Sequence, residues 1–175
     1  LIDDIESYKI IFVDGKYCSH LSETNHDGMD ICILSSSLSQ SKYDLVIENY
    51  FDKIAKKDGI TSLNTAFSSE GSYIHIPKNV QVDKPIQIVY FSTGKNESVL
   101  YQPRNLIVVD ENSHVEIIER YQSLSSNSIL VNSVSEIYCN QRSIVQHYKI
   151  QDDNRNASLI DGCLLYTSPS PRDGL

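Results

Sequence analysis

The chain has 175 residues, the length of one ordinary domain, since domains usually run about 100–200 residues. Hydrophobic residues make up 40% and charged residues 22%, which is too apolar for a disordered chain and too evenly mixed for a collagen-like or low-complexity one. Fifteen basic against 23 acidic residues leave a formal charge of −8, and the densest basic group is only Lys53, Lys56 and Lys57, so nucleic acid is not an expected partner.

The longest apolar runs, such as Leu106-Ile107-Val108-Val109, stop far short of the roughly 20 residues a spanning helix needs. No membrane partner is expected. The start, Leu1-Ile2-Asp3-Asp4-Ile5-Glu6, lacks a basic n-region, an apolar h-region and an initiator Met, so it reads as a cut end without a secretory signal. Cys18, Cys32, Cys139 and Cys163 form no CxxC pair and stand near no His at zinc-ligand spacing. They read as reduced thiols in a reducing cytoplasm.

Only 3 Ala occur, against 33 Ile plus Val, a bias toward strands. Residues 1–70 hold 11 of these β-branched residues and residues 71–162 hold 22, which puts a boundary near Gly71. In the first region, Tyr8 to Val13 runs into Asp14-Gly15 and out through Lys16-Tyr17-Cys18, the pattern of a hairpin. Leu45, Val46, Tyr50, Phe51, Ile54 and Ala55 then recur at helical spacing behind Asp44, with Lys56-Lys57 in the last turn and Gly59 as terminator. Ile60, Leu63, Ala66 and Phe67 predict a second, shorter helix.

The second region repeats one form three times: strand, polar corner, strand. Tyr73 to Ile76 precedes Pro77-Lys78-Asn79 and Val80 to Val82; Leu106 to Val109 precedes Asp110-Glu111-Asn112 and Val115 to Ile118; Ser135 to Tyr138 precedes Asn140-Gln141 and Ile144-Val145. Asn79, Asn112 and Asn140 are the corner residues, Asn being tolerant of the left-handed backbone such corners require. Because these corners lack the following Gly of a tight hairpin, they bend the chain rather than reverse it. The prediction is a mainly β fold, a stacked β-helix in which Ile74/Ile76, Ile107/Val109 and Ile137 form interior columns. An antiparallel sandwich of hairpins is the other architecture these units permit. The run Cys163 to Leu175 shows no strand period and looks like translated sequencing-adapter sequence, so it is set aside from the fold.

Motifs for catalysis are missing: there is no GxxxxGK[ST], GxGxxG, HExxH or GxSxG. His20, His26, His75, His114 and His147 have no ligand spacing and read as solvent-facing or satisfied side chains. Tyr90-Phe91, Tyr138 and Tyr148 read as stacked core or rim residues rather than a sugar- or base-binding strip. Glu116, Glu119, Asp152 and Asp153 would need a cleft holding two carboxyls about 5–10 Å apart to act as a glycosidase pair. A solvated charged face is the simpler reading.

Four segments speak together: Phe12-Val13-Asp14-Gly15-Lys16-Tyr17, Leu63-Asn64-Thr65-Ala66-Phe67, Gly71 to Val80 with Lys84-Pro85-Ile86-Gln87, and Gln102 to Val109. With the Ser113 to Glu119 strand and Ile150-Gln151, this order resembles the SufB/SufD family of iron–sulfur cluster assembly proteins over residues 8–161. The opening hairpin and the Leu-Asn-Thr-Ala-Phe run look like the SufD branch. The resemblance implies a right-handed parallel β-helix behind a small N-terminal α/β region, with residues 1–70 forming that region, 71–162 the first rungs and 163–175 lying outside the family. It further implies a non-catalytic, cytoplasmic scaffold that works with SufB-like and SufC-like subunits, the ATPase being the latter, with an iron–sulfur cluster held transiently on the whole complex. No catalytic, cofactor-binding or metal residue is carried over, because the later rungs and helical region that hold them in the family have no counterpart here. The rival reading, a polysaccharide-acting or adhesive β-helix, would call for a secretory signal and acidic residues clustered on one strand face.

Overall fold

The computed structural model describes residues 5–168 apart from 25, 27, 56, 57, 69 and 95–97. Strands β1 (Tyr8–Val13) and β2 (Lys16–Tyr17) form the predicted hairpin, and Asp14 and Gly15 both take positive φ, 49° and 74°, as such a two-residue turn demands. A strand β3 (Asp30–Ile33) follows, then three helices, α1 (Leu34–Ser37), α2 (Asp44–Tyr50) and α3 (Gly59–Phe67). The rest is strand: β4 (Ser72–Ile76), β5 (Ile86–Ser92), β6 (Ser98–Tyr101), β7 (Arg104–Val109), β8 (His114–Ser123), β9 (Ser128–Cys139), β10 (Ile144–Asp152) and β11 (Ala157–Thr167).

These strands wind into a parallel β-solenoid of about three turns behind a small N-terminal α/β region. One sheet has the order β10-β8-β5-β1-β2 and the other β11-β9-β7-β4-β3, with β6 alongside β9. Every pairing between named strands is parallel except β1–β2 and β3–β4. The two antiparallel strands therefore finish the same edge of both sheets, the edge where an uncovered ladder would invite pairing with another chain. Although it belongs to the opening hairpin, β1 lies in register with β5 from Tyr8↔Ile86 to Val13↔Phe91.

The interior columns are those predicted. Ile74 pairs with Ile107 and Ile107 with Ile137, while Ile76 pairs with Val109 and Val109 with Cys139, and all but Cys139 are buried. Ile10, Ile88 and Ile117 face them from the other sheet within one core. A second apolar cluster covers the outer face of the β4-β7-β9 sheet, where Leu34, Tyr43 and the α2 residues Val46 and Ile47 pack on Tyr73, Leu106, Val108 and Tyr138. Strand β7 is consequently buried on both faces, the burial expected of a parallel strand.

Three local expectations are revised. The helix predicted over Leu45 to Ala55 stops at Tyr50, because Asp52 adopts φ 60° and the N–H groups of Asp52 and Ile54 donate to the Glu136 carboxylate at 3.0 and 3.3 Å. Gly59 opens α3 instead of ending α2: Asp58 caps that helix by accepting the Thr61 N–H at 2.8 Å, and Lys56-Lys57 lies outside the described residues. In the third corner the left-handed residue is Arg142, φ 60°, matching Asn79 at 64° and Asn112 at 59°. Asn140 sits two positions earlier, donating to Asp110 Oδ1 at 2.9 Å.

Strand β11 also runs past the end of the sequence pattern, with Cys163 to Thr167 paired along Ser135 to Cys139. Parallel pairing needs only backbone donors and acceptors, so it does not require the alternation this segment lacks. Residues 169–175 lie outside the described residues.

Candidate functional site

Inward positions alternate along each strand, so a polar residue at such a position enters the core. Glu119 does so: it follows the inward Val115 and Ile117 of β8, precedes inward Tyr121, and is fully buried. Register places Val145, His147 and Lys149 of β10 over Val115, Ile117 and Glu119. His147 Nε2 donates to Glu119 Oε2 at 3.1 Å, and Lys149 Nζ lies 3.2 Å from the same oxygen. The Tyr121 hydroxyl donates to Glu119 Oε1 and sits 2.8 Å from Ser133 Oγ. Lys149 also donates to Asp161 of β11 at 2.5 Å.

Two carboxylates thus meet two cations, which is the condition under which charge is tolerated in a core. Burial pushes the Glu119 carboxyl up, but the His147 hydrogen bond, the Lys149 charge and the Tyr121 hydroxyl more than reverse this and hold it below the usual carboxylate range. Burial opposes charge on His147, while Cys163 and Glu119 favour it strongly enough to raise the imidazole to about 9. Glu119 and His147 are therefore a charged pair at neutral pH, each holding the other in its charged form.

An uncharged network adjoins it. The Tyr90 hydroxyl donates to Asn105 Oδ1 at 2.9 Å, Ser72 donates to the same oxygen through N–H and hydroxyl at 2.9 and 2.8 Å, and Asn105 Nδ2 donates to Ser135 Oγ at 3.0 Å. Phe12, Tyr90 and Tyr121 stack in the core with ring centroids 5.0 and 4.9 Å apart. The stack runs along the solenoid axis through three successive coils, because those residues occupy equivalent register positions in β1, β5 and β8.

Outside the β4-β7-β9 sheet lies a second charged cluster. Arg104, buried, donates through Nη2 to Glu136 Oε2 at 2.7 Å and Asp52 Oδ1 at 2.9 Å, and through Nη1 to Thr65 Oγ1 at 3.3 Å. Its guanidinium centre lies 5.4 Å from the Phe51 ring. Asn64 adds a clamp from α3, donating to the carbonyls of Pro103 at 2.9 Å and Asn132 at 2.7 Å. Gly71 is required beside this cluster, since a Cβ there would stand 1.7 Å from the Arg104 carbonyl oxygen.

Of the residues weighed from sequence, the structure gathers only some. Glu119 and His147 join one cluster, whereas Asp152 accepts from Arg120 at 2.7 Å and Asp153 from Ser123 at 2.7 Å; they form no facing pair with Glu119. His75 donates to Asp110 at 3.0 Å, and His20 lies against the Cys18 sulfur at 3.5 Å. Tyr138 packs on Tyr50, Tyr90 is stacked in the core, and Tyr148 is exposed. All four cysteines are free, and among the described residues no group of three or more His, Cys, Asp or Glu is placed to hold a metal ion. Lys149, Asp161, Arg104 and Glu136 were not singled out by sequence; the signal for Lys149 was its place two residues after His147 in an alternating strand.

Comparison with known proteins agrees with this architecture. Residues 1–88 match the SufBD protein N-terminal region, and residues 90–165 match the SufBD core domain of the SUF system for FeS cluster assembly. An iron–sulfur cluster assembly SufBD family protein of Synechocystis is 29% identical over 157 residues, covering 83% of this chain and 34% of that protein. A SufBD family protein of Arabidopsis thaliana is 31% identical over 138 residues, covering 74% of this chain and 29% of that protein. The iron–sulfur cluster assembly protein SufD of Bacillus subtilis is 33% identical over 96 residues, covering 53% of this chain and 22% of that protein. The chain spans about a third or less of the length of these relatives. With both consecutive family regions matched and the solenoid they accompany in place, the chain belongs to the SufBD family of iron–sulfur cluster assembly proteins.

Proposed function

We propose that the protein carrying this chain is a non-catalytic scaffold subunit, of the SufD branch, that works in the cytoplasm with a SufB-like subunit and a SufC-like ATPase. The cluster is cargo, held transiently on the assembled complex. The observation that carries this reading is the unbroken succession of SufBD N-terminal region and SufBD core along one short chain. One further feature supports it: a relative matched over 96 residues bears the name SufD. Among the described residues no helix is long and apolar enough to cross a membrane.

Co-expression of the full-length protein with SufB-like and SufC-like proteins, followed by native mass spectrometry, tests the reading. The expected species contains all three subunits. A full-length protein that stays alone, or assembles only with itself, contradicts the scaffold role.

A further inference from the structure

Helix α3 buries polar residues and exposes apolar ones. Thr61 and Asn64 are its buried residues, whereas Ile60, Leu63 and Phe67, three and four apart and so on one side of the helix, stay exposed. This apolar side continues onto the outer face of the neighbouring sheet. Ile129 and Val131 of β9 point into the core, which turns Leu130 and Asn132 outward. The Asn132 amide donates to the Ile60 carbonyl at 3.1 Å, Asn132 pairs with Ile160 of β11 and Leu130 with Leu100 of β6, and Phe67 and Leu100 line one cavity. Ile60, Leu63, Phe67, Leu100, Leu130 and Ile160 are 39–67% exposed, and apolar residues gathered in this way mark an interaction surface, as single scattered ones do not.

Elsewhere the same sheet face is already roofed, since residues of α1 and α2 pack on Tyr73, Leu106, Val108 and Tyr138. Parallel sheets are ordinarily covered on both faces, and this roof ends at α3. The residues next to the patch in sequence that lie outside the described ones, Lys56-Lys57, Ser69 and Lys95-Asn96-Glu97, supply no apolar side chain to extend it. The course of the chain points to what does. The part matched here is only 34%, 29% and 22% of the three relatives' lengths, and because residues 1–88 already match the N-terminal region, much of the further length follows β11. That strand lies along β9 with Ile160 in the patch. Chain leaving β11 therefore starts beside the patch and reaches it without the cost of bringing two molecules together.

We propose that in the full-length protein an amphipathic segment following β11 folds back over α3, seats its apolar side on Leu63, Phe67 and Leu130, and completes the roof that α1 and α2 begin. The test uses the full-length protein alone, so its outcome is independent of the scaffold role. Phe67 is replaced by the photoreactive aromatic p-benzoylphenylalanine, the protein is irradiated and digested, and crosslinked peptides are identified by mass spectrometry. Position 67 is expected to crosslink to residues that follow β11 in the same molecule, with a yield unchanged by about tenfold dilution. A Leu63→Cys thiol, followed in its own peptide, should react with a maleimide at least about tenfold more slowly than Lys78→Cys, a position on an exposed corner. Crosslinks to a second copy alone, crosslinks that form only once a partner subunit is added, no crosslink at all, or Leu63→Cys reacting as fast as Lys78→Cys overturns the proposal.

Discussion

Two clusters of buried charge stand out among the described residues: one lies on the outer face of the β4-β7-β9 sheet, and the other is carried by β8 and β10 of the opposite sheet and points into the core between them. On the outer face, Arg104 and Glu136 are sealed from solvent and tied to the helical segment through Asp52, Thr65 and two backbone N–H groups. On the inner face, Glu119 is equally buried, but its cations His147 and Lys149 keep 15% and 22% of their side chains accessible. The outer cluster joins two parts of the fold and keeps Arg104 and Glu136 out of water. The inner one neutralises a carboxylate inside the solenoid while its cations keep contact with water. Burial alone therefore does not say what a charge is for; what surrounds the partners does.

The largest effect should come from breaking the outer pair. Glu136→Ala leaves Arg104 buried without its closest anion and the Asp52 and Ile54 donors without an acceptor, and should cost about 3–5 kcal/mol in urea unfolding of the full-length protein. The double change Arg104→Met with Glu136→Leu should regain most of that loss, because a packed apolar pair replaces an ion pair at little cost. A double variant as unstable as Glu136→Ala would show that the backbone donors, not the guanidinium, dominate.

The inner pair should answer more mildly. Glu119→Gln leaves two cations that can still reach water, and a loss of about 2 kcal/mol is expected. Its pH dependence is sharper as a test. His147 titrates near 9 when folded, above its ordinary 6.5, so its contribution is complete below about pH 6.5 and disappears as pH rises through 9. The stability difference between the unsubstituted protein and His147→Gln should shrink over that interval, while Arg104→Met, measured in parallel, should show a difference that stays flat. The smallest effect belongs to the corners: Asn112 already occupies φ 59°, so Asn112→Gly should change stability by no more than about 0.5 kcal/mol, whereas Asn112→Val should cost more than 1 kcal/mol.

Much of the solenoid was legible because its signal is local. Hairpin turn, period-2 strands and polar corners each occupy a few consecutive residues, and Ile74, Ile107 and Ile137 were placed in one column before any register was known. The end of α2 was not legible, because it is set by Glu136, 84 residues from Asp52, and helical spacing carries no trace of such a bond. The third corner was misplaced for a related reason. Asn140 has the residue type of a left-handed corner, yet its amide is engaged by Asp110 and Tyr50, and Arg142 takes the strained backbone. The buried cluster was half visible: Glu119 and His147 were each noticed, but they belong together only because β8 and β10 stack with Ile117 under His147. Pairing of that kind is fixed by the winding of the chain, not by spacing along it.

The central claim, that this chain belongs to a scaffold on which iron–sulfur clusters are assembled, is tested most directly by anaerobic reconstitution. Full-length protein, SufB-like and SufC-like subunits, ferrous iron, a sulfide source and ATP would be combined and the visible charge-transfer absorption of the cluster followed. The account predicts that the complete complex builds a cluster and transfers it to an apo-acceptor, and that omitting this subunit abolishes the yield. Undiminished assembly and transfer without it would contradict the account.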